Sequence, residues 1–173
     1  PLALWPDIMQ GYVRILLEAR SYVYIETPYF IPNEPVIFAM RTAAIAGVDI
    51  RLMVPRHSDA KLVEWASTSY IREAIQAGVK ICVYEDAFNH STLLIGHDML
   101  CSCGSTNIDF RSFENNFESN IFFYDHDLTM RLKQVFLDDL THCTVAETTA
   151  DLPHTPFYTR LWQASARLLS PLL

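Results

Sequence analysis

The segment GVDIRLMVP, residues 47–55, reads as a short buried strand with clear boundaries at both ends. Its β-branched and aliphatic residues favour a strand, Gly47 is typical of the end of a preceding helix, and Pro55 closes the run. Similar apolar runs lie on either side of it, YVYIET at residues 22–27 and VKICVY at residues 79–84. Because the intervening segments have helical spacing, the sequence predicts alternating strands and helices from residue 22 to residue 84.

This alternation predicts an α/β fold with a mixed, mostly parallel central β-sheet flanked by helices on both faces. Beyond residue 84 the pattern changes to short strands near 93–95, 99–103 and 119–124, then a helix over 128–140 started by Asp127. We expect residues 1–143 to form the main domain. Residues 144–173 are expected to add a polar linker and an apolar C-terminal helix packed on or beside it.

Composition excludes several classes of protein. Half of the 173 residues are hydrophobic, which is typical of a globular domain, and the formal net charge of -7 is a poor fit to a nucleic-acid partner. The four cysteines form no CxxC pair, so we interpret them as reduced thiols and expect no metal site. No run of about 18 apolar residues occurs, so no transmembrane segment is expected.

The densest cluster of polar groups is FNHSTLLIGHDMLCSCGSTNIDFRSFENNFE, residues 88–118. In α/β sheets, ligands bind beyond the carboxyl ends of the strands, where His90 is expected to lie. A histidine can attack phosphorus or protonate a leaving oxygen, and Ser105 and Asn107 can donate hydrogen bonds to a phosphoryl oxygen. Glu118 can hold the imidazole in one tautomer, and Gly104 would let the backbone approach a ligand closely.

These residues resemble the phospholipase D superfamily and, within it, the bacterial cardiolipin synthases. The family motif is H-x-K-x4-D, then G-S-x-N, then a downstream Asn and Glu. His90 matches the motif histidine, residues 104–107 match G-S-x-N, and Asn116 and Glu118 match the downstream pair. The resemblance implies the catalytic residues His90, Asn107 and Glu118, and the substrate-binding residues Ser105, Asn116 and Thr92. It implies no cofactor, because histidine supplies the nucleophile.

Two positions depart from the motif, since its Lys falls on Thr92 and its Asp falls on His97. The family lysine grips phosphate as a point charge, which Thr cannot do, so we expect a weakened half-site. Family members resemble two facing repeats that each give one histidine. This single copy, which opens at Pro1 without an initiator Met, is therefore expected to be the second repeat of a longer protein, with His90 as general acid. Its partner would be the missing N-terminal repeat or a second copy of itself.

The resemblance implies transfer of a phosphatidyl group between two phosphatidylglycerol molecules through a phosphohistidine. It also implies association with the cytoplasmic face of a bacterial inner membrane. Two alternatives stay open. Thr92 and His97 are compatible with a non-catalytic lipid-binding or assembly module, and a dimeric nuclease of the same superfamily is the second, although the acidic charge counts against it.

Overall fold

The computed structural model describes residues 6–58, 61–152 and 156–168. The helices in these ranges are α1 (Asp7–Glu18), α2 (Glu34–Ile45), α3 (Lys61–Gln76), α4 (Phe110–Glu114), α5 (His126–Leu140) and α6 (Phe157–Leu168). The strands are β1 (Tyr22–Glu26), β2 (Phe30–Ile31), β3 (Asp49–Pro55), β4 (Lys80–Tyr84), β5 (Leu93–Gly96), β6 (Leu100–Gly104), β7 (Ile108–Asp109), β8 (Asn120–Tyr124) and β9 (Cys143–Ala146).

Seven of these strands form one mixed sheet in the order β8-β6-β5-β1-β3-β4-β9, and β2 pairs with β7 beside it. The predicted mixed α/β fold is confirmed, but its parallel part is smaller than expected. Within the large sheet, as far as the structure describes the chain, only β1, β3 and β4 run parallel to one another, and the small β2–β7 pair is parallel as well. The other four pairings in the large sheet are antiparallel, because β5 and β6 form a hairpin and β8 and β9 return along the two edges.

Helices cover both faces of the sheet, as predicted. On β1, Val23 and Ile25 belong to the core shared with α1, α2 and α3. Tyr22 and Tyr24 alternate with them and face α5, where the Tyr24 ring stacks on Phe136 with centroids 4.8 Å apart. This period-two pattern explains why β1 is buried along its whole length and reads as a continuous apolar run.

The linker predicted to begin at residue 144 begins instead as part of the sheet. Residues Cys143–Ala146 form β9, which pairs antiparallel with β4. The β-branched Thr144 and Val145 favour a strand, and their signal is weak only because the strand is short. The predicted C-terminal helix is present as α6, and it packs on α3 through an ion pair between Arg167 and Glu73 with an N–O distance of 2.7 Å.

Helix α5 begins at His126, two residues earlier than the sequence predicts. Asp125, and not Asp127, is the N-cap, since its carboxylate accepts a hydrogen bond from the backbone N–H of Leu128 at 2.8 Å. Asp127 lies inside the first turn instead. Across the described ranges, no helix combines the length and the apolar character that crossing a bilayer requires.

Candidate active site

The predicted site lies at one edge of the large sheet, where the loops around β5, β6 and β8 meet. Leu93 at the start of β5 is opposite both Glu26 at the carboxyl end of β1 and Cys103 on β6. Gly104 at the end of β6 is opposite Asn120 at the start of β8. The segments that carry His90, Ser105 and Glu118 therefore enter or leave the sheet at the same edge, beyond the carboxyl end of β1.

Gly104 is required by the approach of a neighbouring strand. A Cβ atom at this position would overlap the carbonyl oxygen of Ser119 and the side-chain amide of Asn120. We predicted that this glycine lets the backbone approach a ligand, but its contacts are with the segment that leads into β8. The amide of Asn120 fixes the turn further, because its oxygen accepts a hydrogen bond from the backbone N–H of Thr106 at 3.2 Å.

Ser105, Asn116 and Glu118 form one hydrogen-bonded group. The Ser105 hydroxyl donates to one carboxylate oxygen of Glu118, and the Asn116 amide donates to the other at 3.3 Å. The backbone N–H of Ser119 donates to the Ser105 hydroxyl oxygen at 3.1 Å. Three of the residues predicted from the sequence are thus in direct contact, and all are close enough to the surface for a substrate to reach them.

Thr92 is engaged with the protein backbone. Its hydroxyl donates a hydrogen bond to the carbonyl oxygen of Gly104, which ties the start of β5 to the end of β6. His97 lies in the turn between these strands, at the opposite end of the hairpin, with a φ of 49°. Its neighbour Asp98 accepts hydrogen bonds from the Tyr22 hydroxyl at 2.6 Å and from Lys133 at 3.3 Å, so this turn is anchored to the α5 side of the sheet.

His90 is exposed on the loop between β4 and β5, and its neighbours are aromatic. The centroid of its ring lies 6.1 Å from that of Tyr29 and 5.6 Å from that of Phe88, with both pairs edge to face. Among the described residues, no hydrogen bond joins His90 to Glu118 or to Asn107. His90 is therefore placed at the same edge as the predicted group, but its imidazole is oriented by aromatic rings and not by the carboxylate.

Asn107 follows the Ser105 turn and leads into β7. Its side-chain oxygen is buried and has no hydrogen-bond partner within the described part of the chain. The next residue but one, Asp109, caps α4 by accepting from the backbone N–H of Ser112 at 2.6 Å. Burial raises the pKa of Asp109, while hydrogen bonds from Ser112 and Asn107 act in the opposite direction.

Glu26, a carboxyl group only 2% exposed at the carboxyl end of β1, is a further candidate that was not predicted from the sequence. Burial, together with the nearby Asp139, raises the pKa of Glu26 to about 7. The amide of Asn89 donates a long hydrogen bond of 3.5 Å to it, which links this carboxyl to the residue next to His90. A single carboxylate inside the apolar run YVYIET was the signal, since a charged residue at a buried position usually has a specific role.

Solved structures share this fold. A phospholipase D family member named Nuc from Salmonella typhimurium superposes with a TM-score of 0.71 over 81% of this chain and 91% of its own, at 12% identity. The phosphatidylserine synthase of Haemophilus influenzae has a TM-score of 0.77 over 96% of this chain and 45% of its own, at 15% identity. At these identities the likeness concerns the fold.

Comparisons of sequence are more specific. A family model described as a cardiolipin synthase, PLD-like domain matches residues 12–140. The chain is 40% identical over 98% of its length to a cardiolipin synthase of Geobacillus thermodenitrificans, and 35% identical over its whole length to the major cardiolipin synthase of Bacillus subtilis. It spans about a third of the length of these relatives, 34% and 36% respectively. The chain therefore belongs to the phospholipase D-like domain family of the cardiolipin synthases.

Proposed function

We propose that this chain is the second catalytic repeat of a phosphatidyltransferase that makes cardiolipin from two phosphatidylglycerol molecules. The observation that carries the proposal is the hydrogen-bonded group of Ser105, Asn116 and Glu118 beside the loop of His90, in a chain of the cardiolipin synthase family. The first repeat would lie outside these 173 residues, as the length of the relatives suggests. The protein would act at a membrane surface, where both of its substrates reside.

In the first step, a histidine of the other repeat attacks the phosphorus of one phosphatidylglycerol, and the bond from phosphorus to the glycerol oxygen breaks. His90, as imidazolium, gives its proton to that oxygen, so glycerol leaves and a phosphohistidine remains. In the second step, the glycerol hydroxyl of another phosphatidylglycerol gives its proton to His90 and attacks the phosphorus. The phosphorus–nitrogen bond breaks, and cardiolipin is released.

The surroundings of these residues fit the proposed roles. Asn116 keeps one N–H donor for the phosphodiester, where negative charge increases in the transition state, while the Ser105 hydroxyl donates to Glu118 and holds that carboxylate in place. The unpaired side-chain oxygen of Asn107 can accept a hydrogen bond from a glycerol hydroxyl. For Glu118 to orient His90, the loop that carries His90 must bring the two side chains into hydrogen-bond contact, and catalytic hydrogen bonds are often long before substrate binds.

The test is an assay of the longer protein, this chain together with its upstream repeat, on labelled phosphatidylglycerol. We expect cardiolipin and glycerol in equal amounts, and a loss of about 100- to 10,000-fold in rate for His90→Gln, the range typical of a missing general acid. His126→Gln is the matched control, because His126 is exposed on the far side of the sheet. Phosphatidylglycerol that binds without forming cardiolipin would overturn the proposal.

A second candidate function, a lipid-binding module without catalysis, is favoured by Thr92. Its hydroxyl is committed to the Gly104 carbonyl, so this position offers neither a positive charge nor a free donor to a phosphate. Thr92→Lys distinguishes the two candidates in the same assay. If the wild-type protein is inactive and cardiolipin forms only after Thr92→Lys and His97→Asp are combined, the module is the correct function.

A further inference from the structure

A cavity of about 640 Å³ lies next to the candidate site and is used by none of the chemistry described above. It is enclosed by α3 and α6 and by the residues that follow β3 and β4. Its volume is within the range of roughly 300–1,000 Å³ that is typical of pockets for small organic ligands. The fold therefore leaves room for a molecule at the same sheet edge that carries His90.

The wall of the cavity is mixed, with apolar side chains beside about as many polar and charged ones. The side chains that form it include Val54, Val63, Trp65, Ile71, Val83 and Leu152. Charged residues are also present but of both signs, and Arg56 is neutralised by Glu85, whose two carboxylate oxygens it contacts at 2.6 and 2.7 Å. Such a lining favours a hydrocarbon chain over an ion, because no field of a single sign extends into the cavity.

Two short connections place the cavity beside the site. Pro28 lines the cavity, while the next residue, Tyr29, contacts the ring of His90. Glu85 also lines the cavity and begins the loop that carries His90 five residues later. A ligand with its phosphate at His90 could therefore extend past Pro28 and Glu85 into the cavity.

We propose that this cavity binds one acyl chain of the phospholipid whose phosphodiester lies at His90. The inference rests on the proposed function for the identity of that phospholipid. Contact with the apolar side chains of the wall removes the acyl chain from water, and each methylene that they cover raises affinity about fourfold. Binding of an acyl chain in the cavity selects a lipid by its tail as well as by its headgroup. It also holds the tail away from the reacting phosphorus.

The test uses probes that separate the tail from the headgroup. Monoacylglycerols with 8 and 10 carbons, brominated at the chain end, carry a tail but no phosphate, and bromine quenches the fluorescence of a nearby tryptophan. We expect quenching that disappears in Trp65→Phe, and an affinity roughly 15-fold higher for the longer chain. Equal affinities for the two chains, or quenching that survives Trp65→Phe, would overturn the inference.

A variant that fills the cavity gives an independent reading. Ser67 lines the cavity from α3, so Ser67→Phe is expected to weaken binding of the 10-carbon probe at least tenfold. Gln76→Phe is the matched control, because residue 76 is exposed at the end of the same helix and lies outside the cavity wall. Circular dichroism establishes that both variants fold, and unchanged binding by a folded Ser67→Phe chain contradicts the inference.

The two proposals fail in different assays. Glycerophosphoglycerol, which has the headgroup but no tail, measures the His90 site, and its affinity should be unchanged by Ser67→Phe. Lysophosphatidylglycerol with a 10-carbon chain should bind more tightly than either partial probe, since it occupies both places at once. If lysophosphatidylglycerol binds no better than the monoacylglycerol, the cavity and the His90 site do not hold one lipid as proposed. If instead cardiolipin fails to form while the probes bind as expected, only the proposed transferase activity is wrong.

Discussion

At the level of a single side chain, the buried carboxyl of Glu26 makes the stability of this protein depend on pH. Burial and Asp139 raise its pKa from the ordinary 4.5 to about 7. Between these pH values the folded protein keeps a proton that the unfolded chain has released, so the free energy of unfolding falls as pH rises through this window. A pKa shift of this size corresponds to a loss of about 3 kcal/mol in the free energy of unfolding.

Glu26→Gln keeps the shape of this side chain and removes its titration. We expect the variant to match the wild-type free energy of unfolding at pH 4, below both pKa values, and to exceed it by about 3 kcal/mol at pH 8, where the wild-type carboxyl is charged and buried. Urea unfolding followed by circular dichroism at both pH values measures this. Glu34→Gln, at an exposed position of α2, is the control. An equal difference from wild type at both pH values would contradict the raised pKa.

Single residues also show which site contacts could be read from the sequence. That Ser105 and Glu118 belong to one site was predicted from the family motif, but their direct hydrogen bond was not, since Glu118 was assigned to the imidazole of His90. The environment of Glu26 was not predictable, since its burial and its pKa depend on Asn89 and Asp139, which are distant in the chain. The predicted pairing of His90 with Glu118 stays a prediction, because in the described residues the imidazole contacts aromatic rings.

At the level of secondary structure, the turn after β6 depends on Gly104. Gly104→Ala places a methyl group against the backbone of Ser119, so we expect β8 to shift and the protein to lose about 1–3 kcal/mol of stability. Thermal unfolding should show a decrease in Tm of about 2–4 °C for each kcal/mol lost. Ser119→Ala is the control on the facing segment, and a Gly104→Ala variant as stable as this control would contradict the close approach of β8.

Helix α5 offers a matched pair of aspartates. Asp125 caps the helix through the backbone N–H of Leu128, whereas Asp127 lies within the first turn and only adds negative charge near the N-terminus. We expect Asp125→Ala to lower the free energy of unfolding by about 1 kcal/mol, and Asp127→Ala to lower it by less than half of that. Urea unfolding of both variants measures the difference. Equal losses would show that the charge of this turn matters and that the cap does not.

The elements differ in how far the sequence predicts them. Strands β1, β3 and β4 and the helices between them follow from local pattern, because each has its own apolar period and a Gly or Pro boundary. The direction of β5, β6 and β8 does not, since antiparallel pairing is chosen by contacts with other strands and not by the residues of each strand. The same reason accounts for β9, a four-residue strand that is defined by its pairing with β4.

At the level of the whole molecule, the position of the site was predictable and the cavity was not. The carboxyl ends of the parallel strands meet at one edge, so a cluster of polar residues in the following loops is expected there. The cavity is formed by residues as far apart in the chain as Pro28 and Gln163. No local pattern reports such an assembly, and the packing of α6 on α3 is needed to close it.

Two large apolar side chains near the site are exposed in this chain. Phe117, between Asn116 and Glu118, is 89% exposed, and Ile121, near the start of the edge strand β8, is 57% exposed. Large apolar side chains in this position favour an interface with the proposed upstream repeat or with a second copy. Such an interface would bring two half-sites together, which the proposed reaction requires because each half supplies one histidine.

We therefore expect the isolated chain to form a dimer that Phe117→Ser weakens at least tenfold in Kd, as measured by sedimentation equilibrium. Phe38→Ser is the matched control, since Phe38 on α2 is 52% exposed but lies away from the site. The reason for the difference is that only Phe117 borders the group of Ser105, Asn116 and Glu118, so only its loss removes apolar area from the contact that completes the site. Equal effects of the two substitutions would mean that exposed phenylalanine causes association at any position, and a monomer at every concentration would leave the upstream repeat as the required partner.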